Sequence, residues 1–182
     1  MTRKLITKGI KIPNGVTVLL KNNNSILLSS INGSYKLDTN KNIQISIDLN
    51  YIYLINCFKN KNESKKYLNL YTSLLKTNLK GLSQKFKINL FLNGIGYKVQ
   101  KIDNILYFKL GYSHEIKVNI PPYIDILILK PTQILFYGTD WNKLTQYVHN
   151  IKRLRKIEPY KGKGILLKNE TILRKEGKKN KK

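Results

Sequence analysis

Short apolar runs alternate with polar clusters along the first third of the chain. Residues 16–20 "VTVLL", 26–31 "ILLSSI", 43–48 "IQISID" and 51–55 "YIYLI" are rich in β-branched and aromatic residues, and "KNNNS" and "DTNKN" separate them. Such runs bounded by Asn, Asp and Lys clusters predict strands joined by turns. In "IQISID", Ile43, Ile45 and Ile47 alternate with polar residues, which predicts a strand with one buried face. From Asn62 the period changes. Tyr67, Leu68, Tyr71, Leu74, Leu75 and Leu79 follow the i, i+3, i+4 spacing of a helix. Asn62 is placed to cap its start, Glu63 suits the first-turn dipole, and Gly81 is expected just past its end as a C′ glycine.

The same order then recurs. Strands are predicted at 86–92, 96–100, 105–110, 116–120, 124–129 and 133–137. A second helix follows, with Thr139 or Asp140 as cap and Trp141, Leu144, Val148 and Ile151 on one face. "SILLSSINGSYKL" in the first half resembles "NILYFKLGYSHEI" in the second at an offset near 79 residues. The expected fold class is therefore α+β: two similar tandem domains, each a small antiparallel β-sheet packed against one α-helix, plus a basic C-terminal tail. The expected divisions are 1–81, 82–156 and a basic extension at 157–182.

Charge narrows the function. The 182 residues carry 34 Lys+Arg against 10 Asp+Glu, a net charge of +24, with a hydrophobic fraction of 41%. That fraction supports a packed core, and the charge calls for a polyanionic partner, nucleic acid before an anionic membrane. After Ile151 there are thirteen basic residues against three acids, a net of +10 in the last sixth of the chain. One cysteine, Cys57, and two histidines exclude an internal disulfide and a structural zinc site; Cys57 is expected to be a small core residue. No apolar run approaches the ~18 residues of a membrane span, and "MTRKLITKGIKIPNG" lacks both a signal-peptide h-region and a convincing transit-peptide pattern. The only arginines are Arg3, Arg153, Arg155 and Arg174, and Lys, Asn, Ile and Tyr abound. These residues have A/T-rich codons, so a compact A/T-rich genome explains part of the bias.

The candidate chemistry is that of binding. "YKGKG" (160–164) is not a Walker A loop, because Gly-x-x-x-x-Gly-Lys-Ser/Thr is absent. It reads as a phosphate-binding loop: Gly162 and Gly164 would expose amide donors, Lys161 and Lys163 would meet phosphates, Tyr160 would stack, and Pro159 would stiffen the entry. "NGIGY" (93–97) lacks the third glycine of a dinucleotide site. Gly94 and Gly96 predict a bulge or bend, or a place where RNA backbone comes close. Tyr97, Tyr112 and Tyr160 stand beside glycines and are the stacking candidates, whereas Tyr51, Tyr53, Tyr67, Tyr71 and Tyr107 are assigned to cores. Neither His114 nor His149 has a Ser-His-Asp order or a paired carboxylate around it. No enzyme site, cofactor, metal or small-molecule substrate is called for.

"IEPYKGKGILLKNETILRKEGKK" (157–179) resembles the carboxy-terminal signature of the bacterial-type L-six family of large-ribosomal-subunit proteins. "IPNGV" (12–16), "LNGIGYKV" (92–99), "LGYSHEIKVNIP" (110–121) and "KPTQILFYG" (130–138) resemble further motifs of that family, in order, from about Ile10 to Lys179. The resemblance implies two similar sheet-and-helix domains and binding to large-subunit ribosomal RNA, chiefly through the second domain and tail, near the sarcin–ricin loop and the stalk base. Neighbouring ribosomal proteins are implied as partners, with no membrane. On this sequence it points to Tyr160, Lys161, Gly162, Lys163 and Gly164, then to Gly94, Gly96, Tyr97, Ser113 and His114. The basic residues Arg153, Arg155, Lys168, Arg174, Lys175 and Lys178 around and beyond the loop complete the candidate RNA-binding set. Leu166 and Leu167 depart from the basic–aromatic pair often found after the loop, and Ile157 stands where a proline is often found. The alternative is a free RNA-binding regulator or chaperone on the same scaffold. Codon bias and the absent transit peptide suggest an organelle-made protein, first a mitochondrial one, with a plastid-type organelle or a bacterial cytoplasm as alternatives.

Overall fold

The computed structural model describes residues 6–56 and 61–177, so the expectations for Cys57 and for the Asn62 side chain lie outside the described residues. The chain divides into two compact units, residues 1–85 and 86–182. The first contains β1 (Ile10–Lys11), β2 (Val16–Asn22), β3 (Ser25–Ser30), β4 (Gly33–Asp38), β5 (Ile43–Asp48), β6 (Tyr51–Asn56) and α1 (Lys61–Ser83). Its strands form two antiparallel sheets, ordered β2-β3-β4 and β1-β6-β5. Strand alternation and the helical stripe meet in one core. Ile26, Leu28, Ile43, Ile52, Leu54 and Leu75 are fully buried there, with Leu68, Tyr71, Leu79 and Leu82 continuing the α1 face.

Gly81 does not end α1. The helix runs through it to Ser83, because Leu82, three residues beyond Leu79, extends the buried stripe. Its terminal carbonyl is satisfied from a distance instead. The Ser30 hydroxyl and the Asn32 amide both donate to the Leu82 carbonyl, each at 2.9 Å.

The second unit contains β7 (Phe86–Asn93), β8 (Lys98–Ile102), β9 (Ile105–Lys109), β10 (Ile116–Asn119), β11 (Ile124–Lys130), β12 (Gln133–Gly138), α2 (Trp141–Arg153) and β13 (Gly164–Leu167). Its antiparallel sheets are ordered β10-β9-β8 and β11-β12-β7-β13. Asp140 caps α2, its carboxylate accepting from the Asn142 and Lys143 amides at 2.9 and 3.2 Å. Leu144, Val148 and Ile151 lie against Leu90, Leu92, Ile134 and Phe136 in the second core. Tyr147 is half-buried and donates to the Asn119 carbonyl at 3.0 Å; burial pushes its phenol up to about 12.

The two units share a plan. The order β5-β6-β1 has its counterpart in β11-β12-β7, and β2-β3-β4 in β8-β9-β10. Buried residues match at an offset of 80: Ile26 and Leu28 with Leu106 and Phe108, Leu68 and Tyr71 with Val148 and Ile151. The letter similarity near 79 is one residue out of step, and in a strand one residue exchanges the two faces. Among the described residues β13 has no counterpart in the first unit. The apolar run expected to lie in a basic extension is the fourth strand of the second unit's sheet, with Ile165 and Leu166 buried.

Candidate nucleic-acid interface

The segment between α2 and β13 is a closed loop. The Glu158 amide donates to the Lys163 carbonyl at 2.7 Å, and the Gly162 amide donates back to the Glu158 carbonyl at 2.9 Å. The Gly162 N–H is therefore spent on the loop itself and is not offered to a phosphate. Gly162 takes φ +69°, where a side chain would be strained, and Gly164 takes φ +141°. A Cβ on Gly164 would stand 2.8 Å from the Ile157 Cα and 2.9 Å from the Lys156 carbonyl oxygen. The chain itself makes the close backbone approach that these glycines allow. What the loop presents outward is Tyr160, 56% exposed, and Lys161, with Lys163 half-buried.

The other glycines serve one aromatic ring. A Cβ on Gly94 would stand 2.7 Å from the Tyr97 ring, and one on Gly111 would stand 3.3 Å from it. Tyr97 is 5% exposed and belongs to the second core. It is not free to stack on a base, and this corrects the expectation for it. Gly96 turns the chain at φ +75° in open space. Ser113 and His114 are exposed in the turn before β10, with the Ser113 hydroxyl 3.4 Å from the His114 Nδ1.

Tyr112 ties that turn to the end of α2. Its hydroxyl donates to the Leu154 carbonyl at 3.0 Å, and the Arg155 guanidinium lies over its ring, 4.8 Å from the centroid. Around it Arg153, Arg155, Lys156, Glu158 and Lys163 line a cleft of about 430 Å³. Four cations from a helix end and a loop thus share one concave surface with a single acid, which favours an anion at physiological pH. Lys156 was not singled out in the sequence because it lies outside the motifs, and Tyr112, expected there as a stacking residue, is shown by the fold to anchor the turn to the end of α2.

The chain beyond β13 folds back. The Lys175 amide donates to the Pro159 carbonyl at 3.1 Å, and the Arg174 guanidinium lies beside Gly162. Lys152 and Glu170 form an ion pair. Burial would raise the Glu170 carboxyl, but the Lys152 ammonium and the Leu167 amide more than offset this and hold it below the usual carboxylate range. Lys168, Arg174 and Lys175 are exposed, and Lys178 lies outside the described residues. Among the described residues no three His, Cys, Asp or Glu side chains gather as metal ligands, and no helix is long and apolar enough to cross a membrane.

Comparison with known proteins adds a lineage to this geometry. The family described as Ribosomal protein L6 matches residues 93–167, from the end of β7 to the end of β13. A large ribosomal subunit protein uL6 from Mycoplasma capricolum subsp. capricolum is 39% identical over 172 residues, covering 93% of both chains. The uL6 protein of Paramagnetospirillum magneticum is 37% identical over 173 residues, 93% of this chain and 95% of the other. That of Borreliella burgdorferi is 37% identical over 169 residues, again 93% of both. The chain belongs to the uL6 family. This is a structural family of the ribosome without catalytic activity, so the chain is not an enzyme. The uL6 relatives named above are all bacterial, and none supports the mitochondrial expectation. Leu166 and Leu167, the two residues that depart from the expected basic–aromatic pair, are strand residues. Both sit in β13 against β7, with Leu166 buried and Leu167 partly buried against the second core.

Proposed function

We propose that this uL6-family chain is a structural constituent of the large ribosomal subunit, binding large-subunit ribosomal RNA near the sarcin–ricin loop and the stalk base beside neighbouring ribosomal proteins. The observation that carries the reading is the cleft where Arg153, Arg155, Lys156 and Lys163 converge at the end of α2. The protein's +24 charge neutralises phosphate repulsion where RNA helices meet. Residues 157–177 act as an anchored RNA-binding extension: β13 fixes its root in the sheet, and Tyr160, Lys161, Lys168, Arg174 and Lys175 reach outward. Its ribosome is of the bacterial type, in a bacterial cytoplasm or in an organelle that keeps such a ribosome.

The test is binding of the full chain to deproteinised large-subunit ribosomal RNA across a salt series. Lys161→Ala with Lys163→Ala lowers affinity and flattens the slope of log K against log salt by roughly 1–2. An unchanged slope would overturn the loop's role. Sedimentation decides between a ribosomal protein and a free regulator, because only the former stays with large subunits at moderate salt.

A further inference from the structure

We infer that the outward face of the β8–β9–β10 sheet is a second RNA-contact surface, which stacks an unpaired base on Tyr107. The inference rests on the RNA-binding reading above but uses residues separate from the loop and cleft. Registers and burial define this face. Leu106 and Phe108 of β9 point into the second core, so Ile105, Tyr107 and Lys109 point away from it. The cross-strand partners on the same face are Lys98 with Lys109, then Gln100 with Tyr107 and Lys117.

Each row has a feature that an RNA strand would use. Lys98 and Lys109 stand directly opposite one another, both exposed, and among the described residues no carboxylate is paired with either. Like charges directly opposed destabilise a sheet, so this pair calls for an anion between the strands. In the next row the Tyr107 ring is half-buried, with the Lys117 ammonium over it at 5.5 Å. A cation–π contact at an exposed site is weaker than a base–aromatic stack. The four-carbon lysine stem lets the ammonium swing to a phosphate while a base takes the ring face. Gln100, beside the ring, offers an amide with a donor and an acceptor for a base edge. Of the acids nearby, Asp103 lies in the β8–β9 turn at the far end, and Glu115, next to the Ile116–Phe108 pair, lies at the Lys98–Lys109 end. An aromatic flanked by lysines on an open sheet suits a single-stranded segment; a duplex offers no base face to stack.

The experiment combines affinity and photocrosslinking, with the full chain on deproteinised large-subunit ribosomal RNA carrying 4-thiouridine. A nucleotide adduct is expected on the peptide containing Tyr107. Tyr107→Leu should weaken binding about tenfold, while Tyr107→Phe, which keeps the ring, stays within about twofold. Lys98→Ala with Lys109→Ala should lower the salt slope by roughly 1–2. Those lysines and Lys117 are exposed, so their variants carry the test if Tyr107→Leu fails to fold. The inference is overturned if the loop lysine pair weakens binding but the sheet variants do not, and the loop reading then survives. It is overturned too if Tyr107→Phe costs as much as Tyr107→Leu, or if RNA is bound but no nucleotide adduct forms on the Tyr107 peptide. Absence of any binding by the wild-type chain overturns both readings together.

Discussion

Replacing Gly164 with alanine strikes the tightest backbone approach in the second unit. The residue sits at φ +141°, and its Cβ would be 2.8 Å from one backbone atom and 2.9 Å from another. A non-glycine residue in such a region costs about 1–3 kcal/mol. The clashing neighbours are backbone and cannot swing aside, so overpacking adds about 1–3 kcal/mol more. Closing β13 onto β7 buries Ile165 and Leu166, worth about 1.5–3 kcal/mol each. Strain and burial are thus of the same size. The expected outcome is release of β13 and its loop, with the rest of the second core intact.

Amide hydrogen exchange reads this directly. The reporters are Glu158, Gly162, Ile165 and Lys168, whose N–H groups donate to Lys163, Glu158, Arg155 and Asn89 carbonyls. With about 3 kcal/mol of strain, their protection should fall roughly a hundredfold, since 1.4 kcal/mol is tenfold. Core amides of β12 should keep theirs. Gly96→Ala is the control: its φ is +75°, but nothing lies within 4 Å of the added Cβ, so only about 1–2 kcal/mol is expected. Protection at Ile165 and Glu158 within threefold of wild type would refute the argument.

Two further outcomes follow from packing and charge. Phe108→Ala should destabilise the second unit by about 3–5 kcal/mol, whereas Tyr107→Ala should cost under about 1 kcal/mol; urea unfolding of both variants measures the difference, and equal losses would contradict the assigned faces. Glu170→Gln should lose about 1 kcal/mol at neutral pH by removing the charge that meets Lys152 and the Leu167 amide. The folded carboxyl titrates below its unfolded value. Its stabilisation is therefore present above the unfolded value of about 4.3 and is lost as pH falls through the folded one. The gap between wild type and variant should close on acidification, as thermal melts from pH 7 down to pH 3 would show.

The strands and both helical stripes were legible because period 2 and period 3.6 leave separate marks on apolar spacing. β4 was missed as a strand, since in "GSYKLD" only Tyr35 and Leu37 are apolar. β13 was missed because a four-residue strand that begins with a glycine carries no period. Two tyrosines take the opposite placement from that expected. Tyr97 stands next to a glycine, as a loop residue would, but Gly94 and Gly111 make room for its ring inside the core. Tyr107 lies in an apolar run and looked internal. At an offset of 79 between the halves it falls opposite the buried Leu28, and at 80 Phe108 takes that place. Which face a strand residue takes depends on register, and register is set by pairing partners distant in the chain.

The loop at 157–164 then divides its labour by residue type. The glycines serve the chain: Gly162 closes the loop and Gly164 lets it pass its own backbone. Under the proposed function the side chains serve the RNA, and their placement depends on β13 being docked. Binding and docking are thus thermodynamically linked. A ligand that engages only the closed loop stabilises β13, and a substitution that opens the loop lowers apparent affinity by the fraction left closed. Gly164→Ala removes no cation, yet under the proposed function it should weaken RNA binding with little change in salt slope. Lys161→Ala with Lys163→Ala removes two and should change the slope. Comparing the two variants at several salt concentrations separates preorganisation from charge.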